Sequence, residues 1–309
     1  MAEWLYEDGI GEARAALVDD GRILAARVEL PDTVRVGTIA RARLTERTVA
    51  TLDDGRGEVL LDRPAPGVTL GAALSVAVVR EAIPEPGRAK RPRARVTTES
   101  PATGPDLRAR LAATPFPIRT LRAHEPDALE AAGWSEVLEE ARTGEIAFPG
   151  GALRMTPTPA MTLFDVDGDS APDVLAVRAA SAVALAIRRH GIGGSIGIDF
   201  PSVTGKALRQ EVAAALDAAL PPPFERTAVN GFGFLQIVRP RPRASLPERL
   251  RDDPVAAAAR AALRVIERTP PTAAFRFRLP DAVRARIESR ADWGEVLVRR
   301  AGRAPIFDR

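Results

Sequence analysis

Alternating apolar and polar residues dominate the first third of the chain. Residues 4–30 hold two apolar runs, "EARAALV" and "RILAARVEL", that are joined by Asp-Asp-Gly and predict two strands. Residues 36–82 continue with four short apolar stretches and glycine-containing turns between them. Because several short strands at close spacing are typical of closed sheets, this region predicts a small β-barrel.

In the middle of the chain, the apolar pattern predicts helices as well as strands. Helical periodicity covers 106–113 and 127–142, and residues 145–155 have the pattern of a hairpin. Strand and helix candidates then alternate in the order strand 160–166, helix 172–191, strand 193–200, helix 205–220 and strand region 226–241. This alternation predicts a parallel or mixed α/β sheet, with Pro172 opening the first helix and Gly191 ending it.

The last part of the chain repeats this alternation of helices and strands in shorter elements. Its pattern predicts a helix at 254–267, a strand at 272–279, a helix at 280–290 and a strand at 294–300. The expected fold class is therefore α/β (α+β overall), with a small barrel near the N-terminus, a mixed α/β domain in the centre and a small α/β domain at the end.

Composition narrows the class of protein. The chain has 309 residues, of which 45% are hydrophobic and 28% are charged, as in soluble globular proteins. No apolar run reaches the roughly 18 residues that a membrane helix requires, and the acidic N-terminus does not resemble a signal peptide. Cysteine is absent, so disulfides, thiolate zinc sites and cysteine nucleophiles are excluded, and a cytoplasmic location is expected.

Positive charge is concentrated in two segments. Of the 44 basic residues 42 are arginine, although the net charge is only +3. The segment "GRAKRPRAR" at 87–95 holds five basic residues and "VRPRPR" at 238–243 holds three. Such clusters can neutralise phosphates, and a solvated Arg/Pro loop is the alternative interpretation of each.

Four aspartates follow the first strand of the central α/β pattern. The segment "LFDVDGDSAPDVLAV", 163–177, contains Asp165, Asp167, Asp169 and Asp173. Asp165 ends one predicted strand and Asp199, in "GIDF", ends the next. Because parallel strands joined by a helical crossover end at the same edge of a sheet, these two carboxylates are expected to be neighbours there.

Two neighbouring carboxylates repel one another unless a cation lies between them. Mg²⁺ suits this position because it takes one or two carboxylates, keeps several waters and binds phosphate oxygens. Asp167 and Asp169 are candidates for a third ligand or for holding a metal-bound water. Two alternatives stay open: a single calcium loop, as Asp-x-Asp-Gly-Asp suggests, or aspartates that only shape a turn and start a helix.

These motifs, taken in order, resemble the ribonuclease E/G family. The matching segments are "TPAMTLFDVDG" (158–168), "IRRHGIGGSIGIDF" (187–200) and "GFGFLQIVRPRPRASL" (231–246). Weaker similarity extends over most of the chain. It implies the following division: 1–32 and 100–156, a ribonuclease H-like and reduced sensor region; 33–99, an S1-like (S1/OB-type) RNA-binding barrel; 157–246, the metal-dependent catalytic domain; and 247–309, a small C-terminal domain.

The resemblance implies a Mg²⁺-dependent endoribonuclease (Mn²⁺ being possible in place of Mg²⁺) that cleaves single-stranded RNA. Asp165 and Asp199 match the family's two metal-binding aspartates, and Asp167 matches a supporting asparagine. Arg239 and Arg241 match arginines that suit phosphate contact, since guanidinium groups donate in pairs. Further RNA contacts are expected from the basic segment after the barrel, at Lys90, Arg91, Arg93 and Arg95.

Several departures from the family keep a second function open. The segment 245–255 has no cysteine, so the family's zinc-linked dimer is not expected, and 99–132 is too short for a full 5′-monophosphate sensor. The barrel region contains no Phe, Tyr or Trp to stack RNA bases. The alternative functions are therefore a catalytically inactive RNA-binding paralogue and, as a minor one, a calcium-stabilised binding module.

Overall fold

A computed structural model describes residues 1–85, 87, 89–201, 203–270 and 272–308. Strands within these residues are β1 Glu3–Gly9, β2 Glu12–Asp19, β3 Arg22–Glu29, β4 Ile39–Glu46, β5 Val49–Leu52, β6 Glu58–Leu61, β7 Ala73–Arg80, β8 Arg93–Thr97, β9 Ile118–Thr120, β10 Glu145–Phe148, β11 Gly151–Pro157, β12 Thr162–Asp167, β13 Gly194–Asp199, β14 Glu225–Arg226, β15 Phe234–Arg239, β16 Arg276–Arg278 and β17 Ile306–Asp308. Helices are α1 Leu107–Ala112, α2 Ala128–Ala131, α3 Trp134–Thr143, α4 Pro172–His190, α5 Lys206–Ala219, α6 Leu246–Asp252, α7 Pro254–Glu267, α8 Asp281–Glu288 and α9 Ala291–Ala301.

These elements form two compact units. The first unit combines residues 1–32, 107–135 and 249–309, and the second combines 33–106 and 136–248. The predicted mixture of helices and sheets is confirmed. Within the part of the chain that the structure describes, no helix is both long and apolar enough to cross a membrane.

The first unit is built around a four-stranded sheet in the order β3-β2-β1-β9. Its strands are antiparallel except for the parallel pair β1 and β9. The carboxylate of Glu29 accepts hydrogen bonds from the Leu107 amide (3.2 Å) and from Arg110 (2.6 Å), which ties α1 to this sheet. A second core in the same unit joins α7, α8 and α9 through apolar side chains that include Leu263, Ile287 and Leu297.

Buried charge is concentrated on Glu7 of β1. This carboxylate, which is 6% exposed, accepts hydrogen bonds from Arg14 (2.8 Å), Arg264 (3.1 Å) and Arg268 (2.9 Å). A buried carboxylate is tolerated only when it is paired and hydrogen-bonded, and three guanidinium groups meet this condition here. The network fastens α7 to the sheet of the first unit.

The second unit begins with a closed barrel, as predicted. Its strands are β4, β5, β6, β8 and β7, and small apolar side chains such as Ala42, Ala50 and Val76 fill the interior. β8 extends the barrel beyond the apolar pattern at 36–82 and starts within the basic segment 87–95, where no strand was predicted. The reason is that β8 pairs with β7 and β6 at once, so its backbone is held by two neighbours.

The remainder of the second unit is a six-stranded mixed sheet in the order β10-β11-β12-β13-β15-β14. β12 and β13 are parallel and the other pairs are antiparallel. One face is covered by α4 and α5, whose apolar residues form a single core with the inward residues of β11, β12, β13 and β15. Pro172 opens α4 and Gly191, at φ 65°, ends it, as the sequence predicts.

Two predicted elements are wrong. Residues 294–300 are not a strand but belong to α9, because Trp293 and Leu297 are buried one helical turn apart while Val298 is 41% exposed. Residues 127–142 are not one helix, since Gly133 at φ 92° interrupts the chain between α2 and α3. The predicted strand at 272–279 is shortened to β16, and Pro271 lies outside the described residues.

Candidate functional site

Asp165 and Asp199 are direct neighbours in the mixed sheet. The parallel register of β12 and β13 pairs these two residues, although they stand 34 positions apart in the sequence. Adjacent strands lie about 4.8 Å apart, so the two carboxylates start from backbone positions at that spacing. The crossover through α4 therefore brings them together in the way that the sequence predicts. We call them the carboxylate pair.

The carboxylate pair faces away from the helices. Phe164 and Ile198 point into the core with α4 and α5, and strand alternation turns Asp165 and Asp199 to the opposite face. Both aspartates are exposed. Neither carboxylate makes a hydrogen bond or an ion pair with any residue that the structure describes. The carboxylate oxygens are thus available to a ligand.

The other three aspartates of the motif follow Asp165 in three different settings. Asp167 is exposed at the end of β12 and pairs in register with Ala152, whereas Asp169 lies in the following bend. Asp173 lies in the first turn of α4, where a carboxylate complements the helix dipole. Among the described residues, no group of three or more Asp, Glu, His or Cys side chains could hold a metal.

This donor set fits one class of ion better than another. Two carboxylates with open surroundings suit Mg²⁺, which keeps most of its waters and needs one or two protein carboxylates. Calcium requires six to eight oxygens, and among the described residues no three acidic side chains come together to supply them. The geometry therefore favours the magnesium interpretation of the motif over the calcium loop.

Arg154 is a neighbour of the pair that the sequence reasoning missed. The register places Arg154 of β11 beside Asp165, on the side away from Asp199. Its Nε donates to Glu145 (3.1 Å), and the pKa of Arg154 is raised chiefly by that hydrogen bond and charge, with smaller contributions from Asp167 and Asp165. The only sequence signal for Arg154 was the predicted hairpin at 145–155. The register of that hairpin places Glu145, Arg154 and Asp165 side by side on adjacent strands.

Arg239 and Arg241 do not lie at the edge that carries the pair. β15 is antiparallel to β13, so Phe234 is opposite Asp199 while Arg239 is opposite Gly194, five residues or roughly 17 Å further along the strand. Arg239 donates to the Pro221 carbonyl (3.2 Å), and burial lowers its pKa. Arg241 pairs with Glu248.

The predicted RNA-binding residues of the other basic segment each face a carboxylate. The pairs are Lys90 with Glu85, Arg91 with Glu58 (3.2 Å), Arg93 with Asp62 (2.7 Å) and Arg95 with Glu99 (3.6 Å). Arg88, the fifth basic residue of this segment, lies outside the described residues. Since paired charges cancel at a distance, the segment attracts phosphate less than its arginine count suggests.

The two basic segments nevertheless meet at the end of β7. The Glu81 amide donates to the Pro242 carbonyl (2.9 Å), and the buried Glu81 carboxylate pairs with Arg243 (3.1 Å). Burial lowers the pKa of Arg80, and the charges of Arg93 and Arg241 lower it further. The barrel and the 239–243 segment are thus joined through a locally electropositive contact.

Comparison with known proteins adds no family assignment. No model of a known protein family matches this chain, and no curated protein matches it either. The similarity to the ribonuclease E/G family therefore rests on the order and spacing of the motifs.

Proposed function

We propose that this protein is a Mg²⁺-dependent endoribonuclease that hydrolyses single-stranded RNA. The observation that carries the proposal is the carboxylate pair: Asp165 and Asp199 are register partners, exposed and without a side-chain hydrogen-bonding partner among the described residues. Unpaired like charges at neighbouring backbone positions repel one another, which a divalent cation relieves. The ribonuclease E/G resemblance, with an S1-like barrel and a ribonuclease H-like region, agrees with this proposal.

Asp165 and Asp199 would hold the ion, and Mn²⁺ is expected to replace Mg²⁺. When bound, such an ion stabilises negative charge on a phosphodiester and favours deprotonation of water. Asp167, two residues beyond Asp165 on the same face, would orient a water by hydrogen bonding. Arg154 is placed to donate to a non-bridging phosphate oxygen, since it is the register partner of Asp165 and its guanidinium group interacts electrostatically with that carboxylate.

The ligand proposed for the wider surface is the backbone of single-stranded RNA. The barrel contains no aromatic residue, so its contribution would be electrostatic, through residues such as Arg93, and Arg241 of the adjoining 239–243 segment would add to it. A zinc-linked dimer is not part of the proposal, because the chain has no cysteine. A cytoplasmic location is proposed on the same ground.

A second candidate function is RNA binding without cleavage. The observation in its favour is that the basic residues at 90–95 are each paired with a carboxylate, which is unlike a surface that binds a substrate tightly. Under this hypothesis the carboxylate pair would be a remnant of a catalytic centre.

A cleavage assay on a fluorescent AU-rich single-stranded oligonucleotide, with and without Mg²⁺, distinguishes the endoribonuclease from the RNA-binding protein. We expect Mg²⁺-dependent cleavage that Asp165→Asn and Asp199→Asn abolish. Asp173→Asn is the matched control, because it removes an aspartate of the same segment that serves the helix. RNA binding without cleavage by the purified protein would support the second candidate, and cleavage that survives Asp199→Asn would refute the assigned site.

The ion is tested separately by thermal unfolding. Mg²⁺ or Mn²⁺ should raise the unfolding temperature of the wild-type protein but not of Asp199→Asn. A larger increase with Ca²⁺ that persists in Asp199→Asn would instead favour the calcium-stabilised module.

A further inference from the structure

Phe232 is an aromatic side chain without protein packing. It is 89% exposed, and it is the only aromatic residue among the exposed large hydrophobic residues of the described chain. Aromatic side chains normally bury about 150–250 Å² each, so an exposed one loses a large favourable contribution. The exposed face of the ring is therefore available to a ligand.

The turn that carries Phe232 is firmly held. The Asn230 Oδ1 atom accepts hydrogen bonds from the amides of Phe232 (2.9 Å) and Phe234 (3.0 Å), and the Gly233 amide donates to the Asn230 carbonyl (3.2 Å). Gly233 has φ 87°, and a Cβ atom there would lie 2.6 Å from the Phe200 carbonyl oxygen. The exposed ring therefore projects from an ordered turn, residues 230–233, which we call the edge turn.

The edge turn lies beside the carboxylate pair. Because β15 is antiparallel to β13, the start of β15 is at the edge where β13 ends, and Phe234 is the register partner of Asp199. The Phe200 amide, next to Asp199, donates to the Gly233 carbonyl (3.1 Å). Phe232 is thus two residues from the position opposite Asp199.

A basic cleft continues from the edge turn. It has a volume of about 420 Å³ and lies between α5 and residues 226–229, which lead directly into Asn230. Lys206, Arg209 and Arg226 line it. Arg226 is paired with Asp217, whereas the side chains of Lys206 and Arg209 make no hydrogen bond or ion pair with a residue that the structure describes. Two uncompensated cations in a concave surface attract phosphate.

We propose that Phe232 stacks a nucleobase of single-stranded RNA while Lys206 and Arg209 bind a neighbouring phosphate, which holds the chain at the sheet edge where β13 ends in Asp199. This subsite rests on the proposed function for its polynucleotide. It also supplies the aromatic contact that the barrel lacks. A ring in open solvent accepts any base, so the subsite favours unpaired RNA over a duplex without reading its sequence.

The Phe232→Trp variant reports on stacking without any cleavage. The native tryptophans Trp4, Trp134 and Trp293 are 6%, 3% and 5% exposed, so this substitution introduces an exposed fluorophore against a buried background. We expect an oligouridylate to quench this fluorescence and an abasic oligomer of the same length to leave it unchanged. Val265→Trp is the control, since Val265 is 63% exposed on a helix that carries none of the site residues.

Affinity measurements complete the test. Phe232→Ala should weaken binding of the oligouridylate about tenfold, Phe232→Leu should bind as weakly as Phe232→Ala, and Phe232→Trp should bind as tightly as the wild type. The double variant Lys206→Ala/Arg209→Ala should reduce the slope of log K against log salt by about 1.4, about 0.7 for each lost cation–phosphate contact on a single strand. Equal quenching in the Phe232→Trp and Val265→Trp variants, or equal affinity of wild type and Phe232→Ala, would overturn the subsite.

The outcomes separate this inference from the proposed function. Quenching in the Phe232→Trp variant by RNA that the wild-type protein does not cleave would support the subsite and refute the nuclease. Cleavage of RNA by the wild type that Phe232→Ala leaves unchanged would support the nuclease and refute the subsite. Loss of a dimer in Phe232→Ala, at unchanged RNA affinity, would show that a second copy of the chain covers the ring and would overturn the subsite.

Discussion

Glu139 and Glu140 offer a direct test of how burial changes the contribution of an ion pair to the free energy of unfolding. Both lie on α3 and both face an arginine at two short distances: Glu139 bonds Arg142 at 2.9 and 2.6 Å, and Glu140 bonds Arg189 of α4 at 2.8 and 2.7 Å. Glu140 also contacts Nε2 of His190 at 3.1 Å. The Glu139 pair is 57% and 64% exposed, whereas Glu140, Arg189 and His190 are 19%, 18% and 0% exposed.

Replacement of Glu140 by glutamine removes the negative charge from this buried contact. A hydrogen bond to a charged group contributes about 1.5–3 kcal/mol, and loss of one partner of a buried pair costs about 3–5 kcal/mol. Because the contact is mostly rather than fully buried, we expect Glu140→Gln to lower the free energy of unfolding by about 3 kcal/mol. Glu139→Gln, in an exposed pair, should leave it nearly unchanged.

Urea unfolding measures both variants. Glu140→Gln should lower the midpoint at an unchanged slope, since the surface exposed on unfolding stays the same, and Glu139→Gln should have the wild-type midpoint. Equal losses of stability in the two variants would refute the argument from burial. So would an unchanged midpoint for Glu140→Gln.

The same contact predicts a pH dependence. Burial alone raises the pKa of Glu140, but the hydrogen bond from His190 and the charge of Arg189 outweigh it, so the pKa lies below 4.5. The folded state then binds the proton less readily than the unfolded state. The contribution of Glu140 is therefore complete above about pH 4.5 and is lost as the pH falls through the folded-state pKa. The stability gap between wild type and Glu140→Gln should shrink in acid, and a gap that widens would contradict this sign.

Three further predictions concern the first unit and the site. Gly233→Ala should lower stability by about 1–2 kcal/mol from its φ of 87°, and more if Phe200 cannot move, as measured by thermal unfolding. Glu7→Gln should cost about 3–5 kcal/mol in the same measurement, because three arginines share this buried carboxylate. Arg154→Ala should tighten Mg²⁺ binding in calorimetry, since it removes a cation beside Asp165, and added salt should reduce the difference.

Local signals predicted much of the architecture. The closed barrel and the strand–helix–strand order around the carboxylate pair are confirmed, because regular apolar patterns and residues such as Pro172 and Gly191 mark the elements within the segment itself. The helix at 254–267 is confirmed as α7 for the same reason, with Asp253 accepting from the Ala256 amide at its start. These features depend on neighbours in the sequence.

Prediction failed where the apolar residues were compatible with both the period of a strand and the period of a helix. In "DWGEVLVRR" the apolar residues Val296, Leu297 and Val298 are consecutive, so they suit a strand as well as a helix. The packing of α9 decided between them, since Trp293 and Leu297 meet the core of the first unit. β8 shows the converse case, in which pairing on both sides made a strand of an Arg-rich stretch.

The sequence by itself indicated that Asp165 and Asp199 lie close together near the carboxyl ends of neighbouring strands, because a helical crossover between parallel strands returns the chain to the same edge. Only the tertiary structure decided what surrounds them. Strand register placed Arg154 beside Asp165, and the antiparallel course of β15 brought Phe232 to this edge while it carried Arg239 to the other. Register and strand direction are set by packing between residues distant in sequence, which no local pattern encodes.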